Sequence, residues 1–155
     1  MNVNLLAERR IYAMPELAYR LALDPEKFPA LFAGFGPIPA LRRMALHGAP
    51  AVGTLRDVED AAGVVMQERI DALEPDRRHA YTLSGLKPPL SLLVRRGAAD
   101  WTFDVCGEGV HVRWTYAFEL TTPLAWPLAA PLLQVFMRTA MRRCLDAMAR
   151  TLETL

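Results

Sequence analysis

Glu68 is the residue of this sequence whose position asks most of its surroundings. Along residues 64–73, Val64, Met66, Ile70 and Ala72 share one parity, and Glu68 falls on it. At the two-residue period of a strand, that carboxylate points with the apolar side chains toward a core. The strand before it, read from Val52 to Val58, carries Val52, Thr54, Arg56 and Val58 on the same face. A hairpin centred on Ala62 sets Arg56 opposite Glu68 and Val58 opposite Met66. A buried carboxylate is costly unless paired, and a guanidinium offers it a fork of donors. Three chemistries fit such a pair: a structural ion pair, a clasp for a ligand's polar head, or an acid/base couple.

Tyr81 and His79 share the inward parity of the next strand. With Pro75-Asp76 as a two-residue turn, Ile70 faces Tyr81 and Ala72 faces His79, which leaves Tyr81 diagonal to Glu68. A phenol in that place either polarises a carbonyl or moves a proton, or packs its ring and satisfies its hydroxyl locally. His79, close to the turn, is read as solvated. Other chemistries lack their residues. There is no P-loop, GxSxG or HExxH. His47, His79 and His111 fall on different elements, and Cys106 and Cys144 are isolated, so neither a metal nor another cofactor is expected.

The strongest periodic signal is Val110 to Thr121, where Val112, Trp114, Tyr116, Phe118 and Leu120 alternate with polar or small residues. Ala99, Trp101, Phe103 and Val105 repeat the pattern on the neighbouring strand, read from Ala98 to Cys106. Together they make an aromatic inner wall that something must cover. The cover is a helix from about Leu132 to Leu155, with Leu133, Met137, Met141, Cys144, Met148, Leu152 and Leu155 on one arc. Asp146 stands four residues from both Arg142 and Arg150 and is placed to pair along the opposite face. Wall and roof either pack into a solid core or enclose a cavity, for which methionine is an adaptable lining.

The remaining elements are a first strand from Val3 to Tyr12, a helical piece opened by Met14-Pro15-Glu16, and a second helix from an Asp24 N-cap to about Ala33. Strands from Ala40 to His47 and Arg78 to Ser84 complete an antiparallel set joined by short turns. The fold class expected is α+β: seven antiparallel strands curved around a long C-terminal helix, with two short helices after the first strand.

Size and charge bound the function. The 155 residues suit one domain, residues 1–155. An apolar share of 52% with a net charge of +1 excludes disorder and argues against a nucleic-acid partner. Two cysteines favour a cytoplasmic setting. Residues 121–137 are uncharged but hold Pro123, Pro127 and Pro131, so no spanning helix is expected. Leu124-Ala125-Trp126-Pro127-Leu128 followed by Arg138, Arg142 and Arg143 offers a peripheral membrane contact. Nothing in the pattern sets an oligomeric state.

The order of elements resembles the helix-grip fold of the StAR-related lipid-transfer superfamily, with its polyketide cyclase/dehydrase and lipid transport family. Asp24-Pro25-Glu26-Lys27-Phe28-Pro29, Val52-Gly53-Thr54-Leu55-Arg56, Gln67-Glu68-Arg69-Ile70 and Glu74-Pro75-Asp76-Arg77-Arg78-His79-Ala80-Tyr81 carry the likeness. Tyr19 stands where the family often has Trp, and Pro127 and Pro131 interrupt the approach to the last helix. The resemblance implies a hydrophobic cavity between sheet and helix that binds or transports a lipid, polyketide or similar small apolar molecule. Its lining would draw on Arg56, Met66, Glu68, Tyr81, Trp101, Phe103, Trp114, Tyr116, Phe118, Met137 and Met141. The enzymatic alternative is a polyketide cyclase, aromatase or dehydratase acting in the same cavity through Glu68, Arg56 and Tyr81. The third is a membrane-surface or protein-interaction module.

Overall fold

Alternating apolar residues and short Gly- or Asp-bearing turns build most of the chain. In the computed structural model, which describes residues 1–154, the strands are β1 (Asn2–Ile11), β2 (Leu41–Leu46), β3 (Leu55–Asp60), β4 (Val65–Glu74), β5 (Arg78–Ser84), β6 (Val94–Cys106) and β7 (Gly109–Leu120). They form one antiparallel sheet in the order β1-β7-β6-β5-β4-β3-β2. Helices α1 (Pro15–Leu23) and α2 (Phe28–Leu31) lie between β1 and β2. The C-terminal helix runs as α3 (Trp126–Pro131), a wide π segment (Leu132–Met137) and α4 (Arg138–Glu153). This is the helix-grip arrangement expected from the element order. No described helix is long and apolar enough to cross a membrane.

The helix covers the sheet through Met141, Cys144, Leu145 and Met148, which are buried in one core with Val110, Val112, Trp101 and Trp114. Leu155, placed on the same arc from the sequence, lies outside the described residues. Asp146 does not pair along the helix. It accepts a hydrogen bond from Arg9 Nη1 at 2.5 Å and so ties α4 to β1. The helix also begins earlier than Leu132. Pro127 is tolerated in the first turn of α3, and Pro131 has no N–H to give, after which the hydrogen bonding widens.

Several boundaries differ from the periodic reading. β3 starts at Leu55 because the chain turns at Gly53 (φ +92°), leaving Val52 exposed and Thr54 Oγ1 donating to the Ala49 carbonyl. Asp24 closes a turn by accepting from the Glu26 and Lys27 amides, so α2 is a single turn that ends before Ala33. β6 begins at Val94, ahead of Ala98, because Gly97 continues the strand beneath two rings. A Cβ there would stand 2.6 Å from Tyr116 Cε1. Val105 is 78% exposed rather than inward, since β5 pairs with β6 only as far as Thr102 and leaves that flank bare.

Candidate functional site: a cavity with a buried ion pair

The aromatic wall and the helix do not close on each other. Between them lies a cavity of about 450 Å³. β3 contributes Arg56 and Val58, β4 Met66 and Glu68, β5 His79, Tyr81 and Leu83, β6 Trp101, and β7 Trp114, Tyr116 and Phe118. The other side is Phe28 and Phe32 around α2, the 86–90 loop, and Leu132, Leu133 and Met137 of the π segment.

The register of β3 and β4 is the one the hairpin predicted: Arg56 pairs with Glu68 and Val58 with Met66. Arg56 Nη2 stands 2.9 Å from Glu68 Oε1, with the two residues 1% and 7% exposed. The contact is a charge contact more than a directed hydrogen bond. Arg56 Nε and Glu68 Oε1 have no aligned partner. The guanidinium carbon also sits 4.9 Å from the centre of the Tyr81 ring, within cation–π range.

The next register differs from the sequence reading. Ile70 faces Tyr81 as expected, but a bulge at Asp71 then sets Ala72 opposite Ala80 and Leu73 opposite His79. His79 is therefore neither opposite Ala72 nor solvated. It is 1% exposed, its ring lies 5.0 Å from that of Tyr81, and neither nitrogen has a hydrogen-bond partner. The Tyr81 hydroxyl accepts a long hydrogen bond from Trp101 Nε1 at 3.5 Å.

Burial sets the protonation states. Desolvation lifts the Glu68 carboxyl above its ordinary range, and the Arg56 charge and hydrogen-bonding contact oppose that rise. Desolvation, with the Arg56 charge behind it, holds the His79 imidazolium well below the usual imidazole range. Burial, and then the nearby Glu68 charge, keeps the Tyr81 phenol protonated. The site thus offers a neutral imidazole with one donor and one acceptor nitrogen, a phenolic donor, and an ion pair with spare valences.

Nine of the eleven residues expected from the sequence line the cavity: Arg56, Met66, Glu68, Tyr81, Trp101, Trp114, Tyr116, Phe118 and Met137. Phe103 and Met141 do not. Phe103 stacks behind Trp101 and meets the edge of Tyr19, with ring centres 6.2 and 5.6 Å apart. Met141 is fully buried in packed core, because the π segment gives the roof to residues one turn earlier. The sequence reading placed Leu133 on the helix's apolar arc without naming it as lining, and missed Leu132, Phe28, Phe32 and the 86–90 loop, where no period marks an inward side. Of the proposed membrane-facing run, Leu124, Trp126 and Leu128 are exposed and Ala125 is buried. Among the described residues no three His, Cys, Asp or Glu side chains gather as a metal-holding group.

A match to the family described as polyketide cyclase / dehydrase and lipid transport spans residues 3–153. Among curated proteins none matches. Solved structures share the fold at low identity. The structure of Ara h 8.0201 superposes with a TM-score of 0.76 at 13% identity, covering 100% of both chains. TTHA0849 from Thermus thermophilus gives 0.72 at 22%, covering 98% of each. The di-domain ARO/CYC StfQ from the steffimycin biosynthetic pathway gives 0.77 at 15%, covering 99% of this chain and 52% of that one.

The lining and the buried imidazole each generate a prediction. Met141→Ala should cost about 2–5 kcal/mol, the range for a packed core methionine, and leave binding of a fluorescent apolar probe unchanged. Met137→Ala should cost less, because its side chain already borders space, and should alter probe affinity; urea denaturation beside probe titration separates the two. His79 is held neutral in the fold, so the unfolded chain binds its proton more readily. Its contribution is present above the ordinary value of about 6.5 and is lost as pH falls from there toward the depressed folded value. Glu68 acts with the opposite sign, losing stability as pH rises from its ordinary value to its raised one. Wild type should therefore lose up to about 1.4 kcal/mol per pH unit relative to His79→Phe on acidification, read from urea midpoints across that window.

Proposed function

We propose, for a chain that belongs to the polyketide cyclase/dehydrase and lipid transport family, that the cavity binds a small, largely apolar molecule and carries or presents it. The observation that supports this reading most is the cavity itself. It lies within the roughly 300–1,000 Å³ of small-molecule sites, and its aromatic and aliphatic lining converges on one polar cluster. Trp101, Trp114, Tyr116 and Phe118 give flat apolar faces for a ring or a folded chain, while Arg56, Glu68, His79 and Tyr81 fix one end of the ligand. The ligand gains by leaving water, and the protein gains partners for polar atoms that otherwise have none.

Native mass spectrometry of the purified protein should show a co-purified small molecule, and N-phenyl-1-naphthylamine should bind with a fluorescence rise. Met137→Trp, which fills the space beneath the π segment, should weaken that binding by about ten-fold or more, or about 1.4 kcal/mol. Probe binding indifferent to this substitution would place the bound probe elsewhere and sink the reading.

A second reading uses the same cavity for catalysis, favoured by a buried carboxylate whose proton affinity is raised and which shares the pocket with a phenol and a guanidinium. In a cyclisation or dehydration of a poly-β-keto chain, Glu68 would take a proton from the acidic carbon between two carbonyls. Arg56 or the Tyr81 hydroxyl would hold the enolate oxygen. Glu68→Gln should then lower turnover of such a substrate by about 10²–10⁴-fold with probe binding retained; undiminished turnover removes the assignment.

A further inference from the structure

Five buried polar atoms on residues that line the cavity have no aligned hydrogen-bond partner: Arg56 Nε, Glu68 Oε1, both nitrogens of His79 and Trp114 Nε1. Unmade hydrogen bonds in a buried cluster cost about 1–3 kcal/mol each, so a polar group brought to this end of the cavity is favoured. Three are of fixed kind, since Arg56 Nε and Trp114 Nε1 donate and Glu68 Oε1 accepts, and a neutral His79 adds one donor and one acceptor. Donors and acceptors therefore both stand at this end of the cavity, and a head with an acceptor beside a donor suits it.

Its charge is balanced as well. The charged side chains of the lining are Arg56, Lys87, Glu68 and Asp60, two of each sign. Asp60 is turned to its own loop, where Oδ1 accepts from the Ala62 and Val64 amides. Lys87 is exposed to solvent, which screens it. At the buried end, Arg56 faces Glu68, with neutral His79 and Tyr81 beside them.

We infer, resting on the ligand-binding reading above, that the cavity selects uncharged apolar molecules whose head carries an acceptor beside a donor, such as a hydroxy-carbonyl or an amide, and disfavours the matching carboxylates. A carbonyl oxygen accepts from the Arg56 guanidinium while a neighbouring O–H or N–H donates to the Glu68 carboxylate, and the ion pair stays intact. A carboxylate reaches Arg56 only by drawing it away from Glu68, which leaves one buried anion beside another. A cationic head meets the same difficulty from Arg56.

The test is competition against N-phenyl-1-naphthylamine by two molecules of one shape, 2-naphthamide and 2-naphthoate, at about pH 7.5, where the second is an anion. The amide should displace the probe at a concentration about ten-fold or more below the carboxylate. Glu68→Gln removes the competing anion, and the order should reverse, the carboxylate now pairing with Arg56. Should that variant not fold, wild type alone decides. Naphthoate should tighten as pH falls from about 8 to about 6, because a bound anion favours the protonated form of Glu68, while naphthamide stays level. Naphthoate binding as well as naphthamide at about pH 7.5 overturns the inference and leaves the cavity reading standing. If the probe and both naphthalenes fail to bind, the cavity reading itself falls.

Discussion

Trp101 and Trp114 stack across β6 and β7 with ring centres 4.3 Å apart, and both are almost fully buried. Most of the architecture hangs on that contact. Phe28 meets Trp101 edge-on, and Phe32 meets Trp114 in the same manner, at 5.8 and 6.1 Å. The segment after α1, which has little regular structure of its own, is held by these rings. Phe103 continues the stack toward Tyr19 of α1, while Tyr116 and Phe118 continue it along β7 at 4.3 Å. Aromatic side chains bury about 150–250 Å² each, so this layer supplies a large share of the apolar burial. It is also rigid, because Trp101, Trp114 and Tyr116 each lie between two neighbouring rings of the layer.

Rigidity on one side of a cavity has a consequence on the other. A wall of stacked rings cannot relax inward to fill space, and Leu132, Leu133 and Met137 descend from a π segment whose hydrogen bonds are already irregular. The cavity persists because neither surface can deform cheaply to close it. At its far end the same rings lower the local polarity around Arg56 and Glu68, which strengthens their attraction and raises the cost of every unmade hydrogen bond. The aromatic layer and the polar cluster are thus one device: the first makes the second expensive, and the second makes an occupant favourable.

What could be read from the sequence follows from which physical signals are local. Strand parity and turn length are local, so the Arg56–Glu68 register and the inward sides of Trp114, Tyr116 and Phe118 were legible. The Asp71 bulge was not, because one extra residue leaves no mark on the alternation of its neighbours; His79 kept its inward parity and is buried across from Trp101 of β6 rather than wet at the turn. Val105 obeyed its parity and still ended exposed, since burial at a strand end depends on how far the next strand reaches. Met141 was misplaced for a related reason. An ideal 3.6-residue period ran the apolar arc correctly along the helix but could not reveal a π turn after Pro131 that gives the lining to Leu132, Leu133 and Met137. The 86–90 loop had no period to read.

The buried pair is also the place where the sequence departs from what stability alone would select. Apolar side chains of similar volume at 56 and 68 would fill the same space without desolvating two charges, and such replacements elsewhere are often neutral or stabilising by about 1–4 kcal/mol. A pair kept only to bind itself would use its donors fully, with the fork of Arg56 aligned on both carboxylate oxygens. Here one contact is made at 2.9 Å, from Nη2 to Oε1, Arg56 Nε is left over, and a histidine with two idle nitrogens stands in the same lining. These residues line the cavity rather than packed core. A purely structural role accounts for the pair but leaves the unused valences, the neutral imidazole and the cavity as three separate defects. The recognition of a polar head proposed above would account for all of them with a single cause.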